Sequence, residues 1–269
     1  MTYATPIGGL PIQAATLTGK AVFTNAYAVI PGGVMRDIVT SYLPFWEKSR
    51  AWILARPLSG FAETFSQYII EIEPSGGSSN PEPDNQVESI IFVTSGSLII
   101  NHGSGDHEML SGGYSYCPPG VSYIIKNTGT ESATIHLFRK RYVTIEGILA
   151  PKPFITNEKD IKPIIMDHSK GAWSTTRFVD PEDLRYDMHV NIVNFKPGGV
   201  IPFEETHVME HGIYILEGSA EYLLNKDWVH VEAGDFLWLR AFCPQACRNT
   251  GSDNFRYLLY KDVNRHAQL

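Results

Sequence analysis

The sequence predicts an all-β protein made of two antiparallel barrels that arose by internal duplication. Three observations point there. With 23 Gly and 17 Pro set among 13 Tyr, 13 Phe and many Val and Ile, the composition suits short strands and tight turns better than helices. Short apolar runs recur at regular spacing, each closed by Gly or Asn. A long stretch is also written twice at one separation.

Glu88-Ser-Ile-Ile-Phe-Val-Thr-Ser-Gly96-Ser resembles Glu210-His-Gly-Ile-Tyr-Ile-Leu-Glu-Gly218-Ser, 122 residues later. Asn127-Thr-Gly129 and Asn249-Thr-Gly251 stand at the same separation, and Gly77 pairs with Gly199 on the same count. A single offset over such a length marks two copies of one β-rich module.

Each element follows from its local pattern. Thr64 to Glu73 and Tyr186 to Phe195 alternate with period two and run into Gly-containing turns, so each is a strand. Ile90 to Thr94 and Ile213 to Leu216 are short apolar strands ended by glycine. Trp228 to Val231 and Phe236 to Leu239 flank a Glu232-Ala-Gly-Asp235 turn, and Phe255 to Tyr260 closes the second copy. Tyr142 to Thr175 is rich in Pro, Lys and Asp without a period and is expected to be a connection. Pro181 to Leu184 is expected to be a helical turn capped by Asp180. Residues 1 to about 62 form a less periodic extension, partly stranded and packed on the barrel.

Charge and composition remove several function classes. A formal charge of -7, with Arg139-Lys140-Arg141 as the densest basic run, argues against a nucleic-acid partner. No apolar run reaches the roughly 18 residues needed to span a bilayer, and Met1 to Gly9 has no secretory pattern. Three cysteines without a C-x-x-C pair make no disulfide framework. The expectation is a reduced, cytoplasmic protein acting on a small molecule, with neither nucleic acid nor membrane as partner.

Candidate chemistry lies where the copies differ. After Gly199 come Glu205, His207 and His211, at even spacing that shares one face of an extended chain. The first copy has Pro83, Asn85 and Ser89 there, a poor donor set. Gly112, Pro118, Gly120, Tyr123 and Asn127 are echoed by Gly234, Arg240, Phe242, Gln245 and Asn249, so an aromatic has become an amide able to offer oxygen. An isolated histidine is ordinarily a surface or hydrogen-bonded core residue. A carboxylate and two imidazoles together are costly to bury unpaired, which favours a bound cation. Such donors suit Mn(II), Fe(II), Ni(II) or Zn(II). Cys243 and Cys247, each two residues from Gln245, are most simply small buried thiols.

The spacing Gly199-x5-Glu205-x-His207-x3-His211-x6-Gly218 resembles the first cupin motif, with Glu205 in the place of its first histidine and His211 in that of its glutamate. Gly112 to Asn127 resembles the second motif with Tyr123 in the histidine position, and Gly234 to Asn249 is a degenerate version carrying Gln245. The resemblance implies a bicupin of two jelly-roll barrels. Residues 1–150 hold the extension and a first barrel without metal; residues 151–269 hold the connection and a metal-binding, catalytic second barrel. Glu205-Thr-His-x3-His211-Gly, Gln245, Tyr116-Cys-Pro-Pro-Gly120, Arg139-Lys-Arg-Tyr142 and Tyr257-Leu-Leu-Tyr-Lys261 resemble the (S)-ureidoglycine aminohydrolase family of purine (allantoin) catabolism. That resemblance implies Mn(II) at Glu205, His207, His211 and Gln245, substrate contacts at Tyr222, Tyr257 and Lys261, catalytic roles for Glu205, Tyr257 and Lys261, and a homo-oligomer. On the residues alone, Tyr222 is an inward core tyrosine and Lys261 a solvated edge lysine. A metal-dependent cupin dioxygenase and a non-catalytic ligand-binding bicupin are the competing functions.

Overall fold

The computed structural model describes residues 2–3, 21–32, 39–262 and 265. Much of the expected N-terminal extension, residues 4–20 and 33–38, lies outside the described residues. Among the described residues, helical turns are confined to two 3-10 segments, Pro57–Ser59 and Glu158–Asp160, and the other regular elements are strands. The expected strands are present, most with shifted ends: Ser66–Ser78, Val87–Ser95, Met188–Phe195, His211–Glu217, Asp227–Glu232, Phe236–Leu239 and Phe255–Asp262.

The strands sort into two large sheets, one of nine and one of eight strands, with a three-stranded and a two-stranded sheet beside them. In the first large sheet Ala133–Arg141 pairs with both Ser66–Ser78 and Val87–Ser95. In the second, Phe255–Asp262 pairs with both Met188–Phe195 and His211–Glu217. The three-stranded sheet of Ser219–Leu224, Asp227–Glu232 and Gln245–Arg248 faces the second large sheet to close that barrel.

These strands bury side chains on both faces because there are three apolar cores. One fills the first barrel around Ile70, Ile91, Ile100 and Ile135. Another fills the second around Phe195, Ile213, Tyr222 and Phe255. The third joins the outer faces of the two large sheets: Trp52, Phe65, Phe92 and Phe138 meet Val190, Ile192, Trp238, Leu258 and Tyr260. Phe65 stacks on Tyr260 at 3.8 Å between centroids.

The chain crosses its midpoint in both directions. Tyr27–Ile30 pairs with Phe236–Leu239 of the second sheet, while Phe154–Asn157 pairs with Gly113–Cys117 of the first. The segment expected to be an unstructured connection thus holds the strands Phe154–Asn157 and Ile164–Ile165 and runs into Trp173–Arg177. Such edge strands are held by backbone pairing and need no two-faced apolar pattern, so alternation could not reveal them. At Pro181 no helix forms. Asp180 accepts from the Glu182 N–H at 2.9 Å through Oδ1, and its carbonyl accepts from the Asp183 N–H at 3.1 Å, a single capped turn.

The repeat has one slip. Asn127 Nδ2 donates to the Ile72 and Glu131 carbonyls while its Oδ1 accepts from the Gly129 N–H. Asn249 does the same with Phe195, Asp253 and Gly251. Asn127 and Asn249 are 122 residues apart, but Ile72 and Phe195 are 123 apart. The partner of Gly199 is therefore Gly76, not Gly77: each binds the equivalent asparagine backbone, and a Cβ on either would lie 2.4–2.6 Å from a crossing carbonyl oxygen. The first copy carries one extra residue between Gly76 and Glu88.

Glu210, immediately before His211, ties the halves together. Its buried carboxylate accepts from the Glu63 and Thr64 N–H groups, the Thr64 hydroxyl and Trp238 Nε1, at 2.5–2.9 Å. Replacing it by alanine strands four donors, each costing roughly 1–3 kcal/mol when buried unpaired. Glu210→Ala is expected to lower unfolding free energy by about 3 kcal/mol or more, read from the urea midpoint; an unchanged midpoint would show that this carboxylate holds nothing together.

Candidate active site

Three neighbouring strands of the second sheet present one inner face toward the barrel. Register places His189, Lys261 and His211 side by side in its outermost row. Asn191, Leu259 and Ile213 form the next row, with Arg177 opposite Asn191. Val193, Tyr257 and Ile215 form the third. Val193, Ile213, Ile215 and Tyr257 belong to the second-barrel core, so the alternation points all three rows inward.

Glu205 and His207 do not lie on a regular strand, as their spacing suggested; they sit in the loop between Met188–Phe195 and His211–Glu217. Backbone pairing brings that loop across the barrel mouth. The Glu205 N–H donates to the Gln245 carbonyl at 2.8 Å and the Gln245 N–H to the Glu205 carbonyl at 3.0 Å. The Phe242 N–H holds the His207 carbonyl at 2.8 Å. Glu205 and Gln245, forty residues apart in sequence, thereby become direct neighbours.

His207 Nε2 and His211 Nε2 converge to 2.5 Å, and Gln245 Nε2 stands 3.1 Å from His207 Nε2. The His211 Nδ1–H donates to the Glu210 carbonyl at 3.0 Å, leaving its Nε2 lone pair directed into the site. Burial and the charge of Lys261 both hold the two imidazoles neutral; His211, also opposed by His207, is pushed down to about 3. Two weakly basic, convergent lone pairs beside an amide and a carboxylate are a donor set for a divalent cation. No group of three or more His, Cys, Asp or Glu among the described residues converges on one metal position. The Glu205 carboxylate, raised by burial and opposed by Lys261, supplies its charge beside the imidazole pair and would have to turn toward it to ligate.

Of the three residues named as substrate contacts, Tyr257 and Lys261 are on this wall and Tyr222 reaches Tyr257 from the facing three-stranded sheet. Tyr222, fully buried, donates its hydroxyl to Gln245 Oε1 at 3.0 Å and packs edge-on against Tyr257 at 6.0 Å between centroids. Burial holds both phenols well above their usual range, so they stay protonated donors. Lys261 is not a solvated edge residue: it lies between His189 and His211, and burial together with Arg177 lowers its pKa against the pull of Glu205 and Asp262. Cys243 and Cys247 are buried free thiols in the barrel core, pushed up by burial, which leaves them chemically quiet.

Sequence reading missed His189, Asn191 and Arg177. The signal was present in the strand pattern: counting back in twos from the inward Phe195 and Val193 reaches Asn191 and His189, polar residues where apolar ones would pack.

In the first barrel the equivalent place is plugged. The extra residue near Gly77 moves Glu82 to the position of Glu205, and Arg139 stands 122 residues before Lys261. The Arg139 guanidinium grips Glu82 through two nitrogens, Nη2 to Oε1 at 2.6 Å and Nε to Oε2, and also donates to the Tyr68 hydroxyl at 3.2 Å. A bidentate ion pair thus fills the mouth where the second barrel gathers donors.

Residues 191–260 match the family model described as a cupin domain, and residues 59–142 the model described as an EutQ-like cupin domain. The (S)-ureidoglycine aminohydrolase of Escherichia coli (strain K12) is 32% identical over 248 residues, 91% of each chain. The (S)-ureidoglycine aminohydrolase of Arabidopsis thaliana is 31% identical over 248 residues, 92% of this chain and 79% of its own. A crystal structure from Pseudomonas aeruginosa, described as a glyoxylate-induced protein, superposes with a TM-score of 0.91 at 59% identity, covering 100% of this chain and 98% of that one. With two cupin domains and relatives matched over nearly its whole length, the chain belongs to the (S)-ureidoglycine aminohydrolase family of bicupins.

Proposed function

We propose that the chain hydrolyses (S)-ureidoglycine to (S)-ureidoglycolate and ammonia, a step of purine (allantoin) catabolism, with Mn(II) held by Glu205, His207, His211 and Gln245. The observation that carries this reading is the convergence of two neutral imidazoles and an amide next to a half-buried lysine, in a chain of this family. The ion supplies Lewis acidity and a fixed pole for the substrate's donor atoms.

The substrate carbon bears an amine, a ureido nitrogen, a hydrogen and a carboxylate. Lys261 binds the carboxylate, its charge desolvated enough to give orientation as well as attraction. The ureido lone pair expels the amine as ammonia; the amine must first take a proton. Water then adds to the planar imine, forming the new C–O bond and releasing a proton. Glu205 is the group suited to both transfers: it is the carboxylate beside the imidazole pair, with burial raising its pKa, while Tyr222 and Tyr257 remain protonated. The walls formed by Tyr222 and Tyr257 keep one face of the intermediate covered, so water enters from the other and the stereocentre is rebuilt in one sense. The three free, buried thiols suit a reducing, cytoplasmic setting, and exposed Phe23, Phe203 and Phe242 support self-association into a homo-oligomer.

The test is ammonia release from freshly generated (S)-ureidoglycine, with chiral analysis of the product, in Mn(II)-loaded and EDTA-treated protein. The expected result is metal-dependent release above the spontaneous rate and a single enantiomer. Release at the spontaneous rate with racemic product, or oxygen uptake without ammonia, would overturn the reading, the latter in favour of a dioxygenase. Lys261→Met is expected to raise KM about ten- to a hundredfold, the loss of one charge-assisted contact, with a smaller effect on kcat.

Metal affinity should follow one proton. His207 and His211 are already neutral well below neutral pH, whereas Glu205, raised by burial, must lose its proton before it ligates. Below the upshifted Glu205 pKa, the Mn(II) dissociation constant is expected to rise about tenfold per pH unit. A steeper dependence, of two or three protons, would show that the histidines titrate in the same range.

A further inference from the structure

The inner face of the second barrel carries two polar groups that the reaction outlined above does not use. His189 is 2% exposed and Asn191 is 4% exposed, and neither His189 Nε2 nor Asn191 Oδ1 has a hydrogen-bond partner. Both lie on the strand next to the one that carries Lys261 and Tyr257. His189 is directly opposite Lys261, and Asn191 is one row deeper, between the level of Lys261 and that of Tyr257. Directly opposed side chains in an antiparallel pair sit about 5 Å apart at Cβ and diagonal ones about 7–8 Å. A molecule held at Lys261 therefore lies within reach of both.

The surroundings make these groups expensive. Apart from Lys261, His211 and Arg177, their neighbours on the same face are Val193, Leu259 and Ile213, and an apolar side chain would fill either place without leaving a polar atom unpaired. Amide and imidazole are retained in a wall that packing alone would make aliphatic. Burial first, and then the charges of Lys261 and Arg177, oppose a charge on His189, so its imidazole is neutral and keeps one lone pair. With the His189 proton on Nδ1, the unsatisfied atoms are a pair of acceptors. They repel a carboxylate, which the Lys261 and Arg177 cations attract, and they require a ligand group rich in N–H donors.

We propose that Asn191 and His189 form the end of the chamber that recognises the ureido group, Asn191 Oδ1 and His189 Nε2 each accepting one of its N–H hydrogens. This rests on the substrate assigned under the proposed function and adds the basis of its selection. The carboxylate is fixed at Lys261, the ureido nitrogens are fixed at Asn191 and His189, and the carbon between them is thereby held with one face toward the imidazole pair. Leaving these acceptors unpaired is the penalty for any amino acid derivative that lacks the terminal amide nitrogen.

The experiment is equilibrium binding of two stable probes, N-carbamoylglycine and N-acetylglycine, to the Mn(II)-loaded protein by calorimetry. The probes differ only in an NH2 replaced by CH3. The unaltered protein is expected to prefer N-carbamoylglycine by about tenfold or more. In Asn191→Leu the preference falls to about threefold or less, while affinity for N-acetylglycine stays within about twofold. The thermal midpoint of that variant rises, because an unsatisfied polar group has been replaced by an apolar one of similar size. Asn191→Asp, which keeps only acceptors, retains the preference, and His189→Phe loses part of it. Preference surviving in Asn191→Leu, equal losses for both probes, or a lowered midpoint would each overturn the inference. Binding of N-carbamoylglycine to the unaltered protein without preference would overturn the inference and leave the substrate assignment intact. If neither probe binds the unaltered protein, the substrate assignment falls and takes the inference with it.

Discussion

The buried carboxylate of Glu210 is the constraint on which the site's geometry depends. It gathers donors from the segment leading into the first barrel, at Glu63 and Thr64, and from Trp238 on its own sheet. Its backbone N–H binds Asp262, the neighbour of Lys261, and its carbonyl fixes the ring of His211. One residue thus sets the position of the His211 imidazole, the end of the strand carrying the lysine, and the docking of one half on the other. Buried charge of this kind is tolerable only when every lone pair is met, and that requirement makes the junction specific as well as tight.

The same junction is built a second time. Glu88 stands 122 residues before Glu210, and Tyr116 stands 122 before Trp238; the Tyr116 hydroxyl donates to Glu88 at 2.8 Å as the indole N–H does to Glu210. In the second version Glu88 Oε1 has no hydrogen-bond partner, and the nearby cations go to Asp187 instead. Lys140 is ion-paired with Asp187, and Arg265 reaches Asp187 at 3.0 Å. Burial and the nearby Asp187 push Glu88 up to about 8. A duplicated fold has kept its pseudo-symmetric interface and let the chemistry on its two sides diverge.

The barrels diverge in the same way. Each has a mouth built from a Gly turn, a crossing loop and an Asn-x-Gly turn whose asparagine spans two strand ends. In the first, a guanidinium long enough to reach across pairs with Glu82 and leaves nothing to offer a ligand. In the second, the shorter reach of Lys261 leaves Glu205 free of such a clamp, and the imidazoles and amide complete a donor set around it. A point charge left open to other partners, in place of a bidentate fork satisfied by the protein, is the physical difference between an open mouth and a closed one.

Duplication, strand content and the donor residues were legible in the sequence because each is local or repetitive. Period-two runs, glycines at Gly96 and Gly218 whose left-handed φ and close backbone neighbours exclude a side chain, and the pair Asn127 and Asn249 all leave marks along the chain. Glu205, His207, His211 and Gln245 could be named as candidate donors in the same way, from residue types and spacing alone. Three-dimensional packing decided the rest. The slip at Gly76, the exchange of Tyr27–Ile30 and Phe154–Asn157 between sheets, and the pairing that stitches Glu205 to Gln245 depend on backbone hydrogen bonds, which carry no residue code. The burial of Lys261 and the inward row of His189 and Asn191 depend on which neighbour strand lies opposite. Sequence by itself determined which groups are available; only the register of the folded sheet decided which of them face one another.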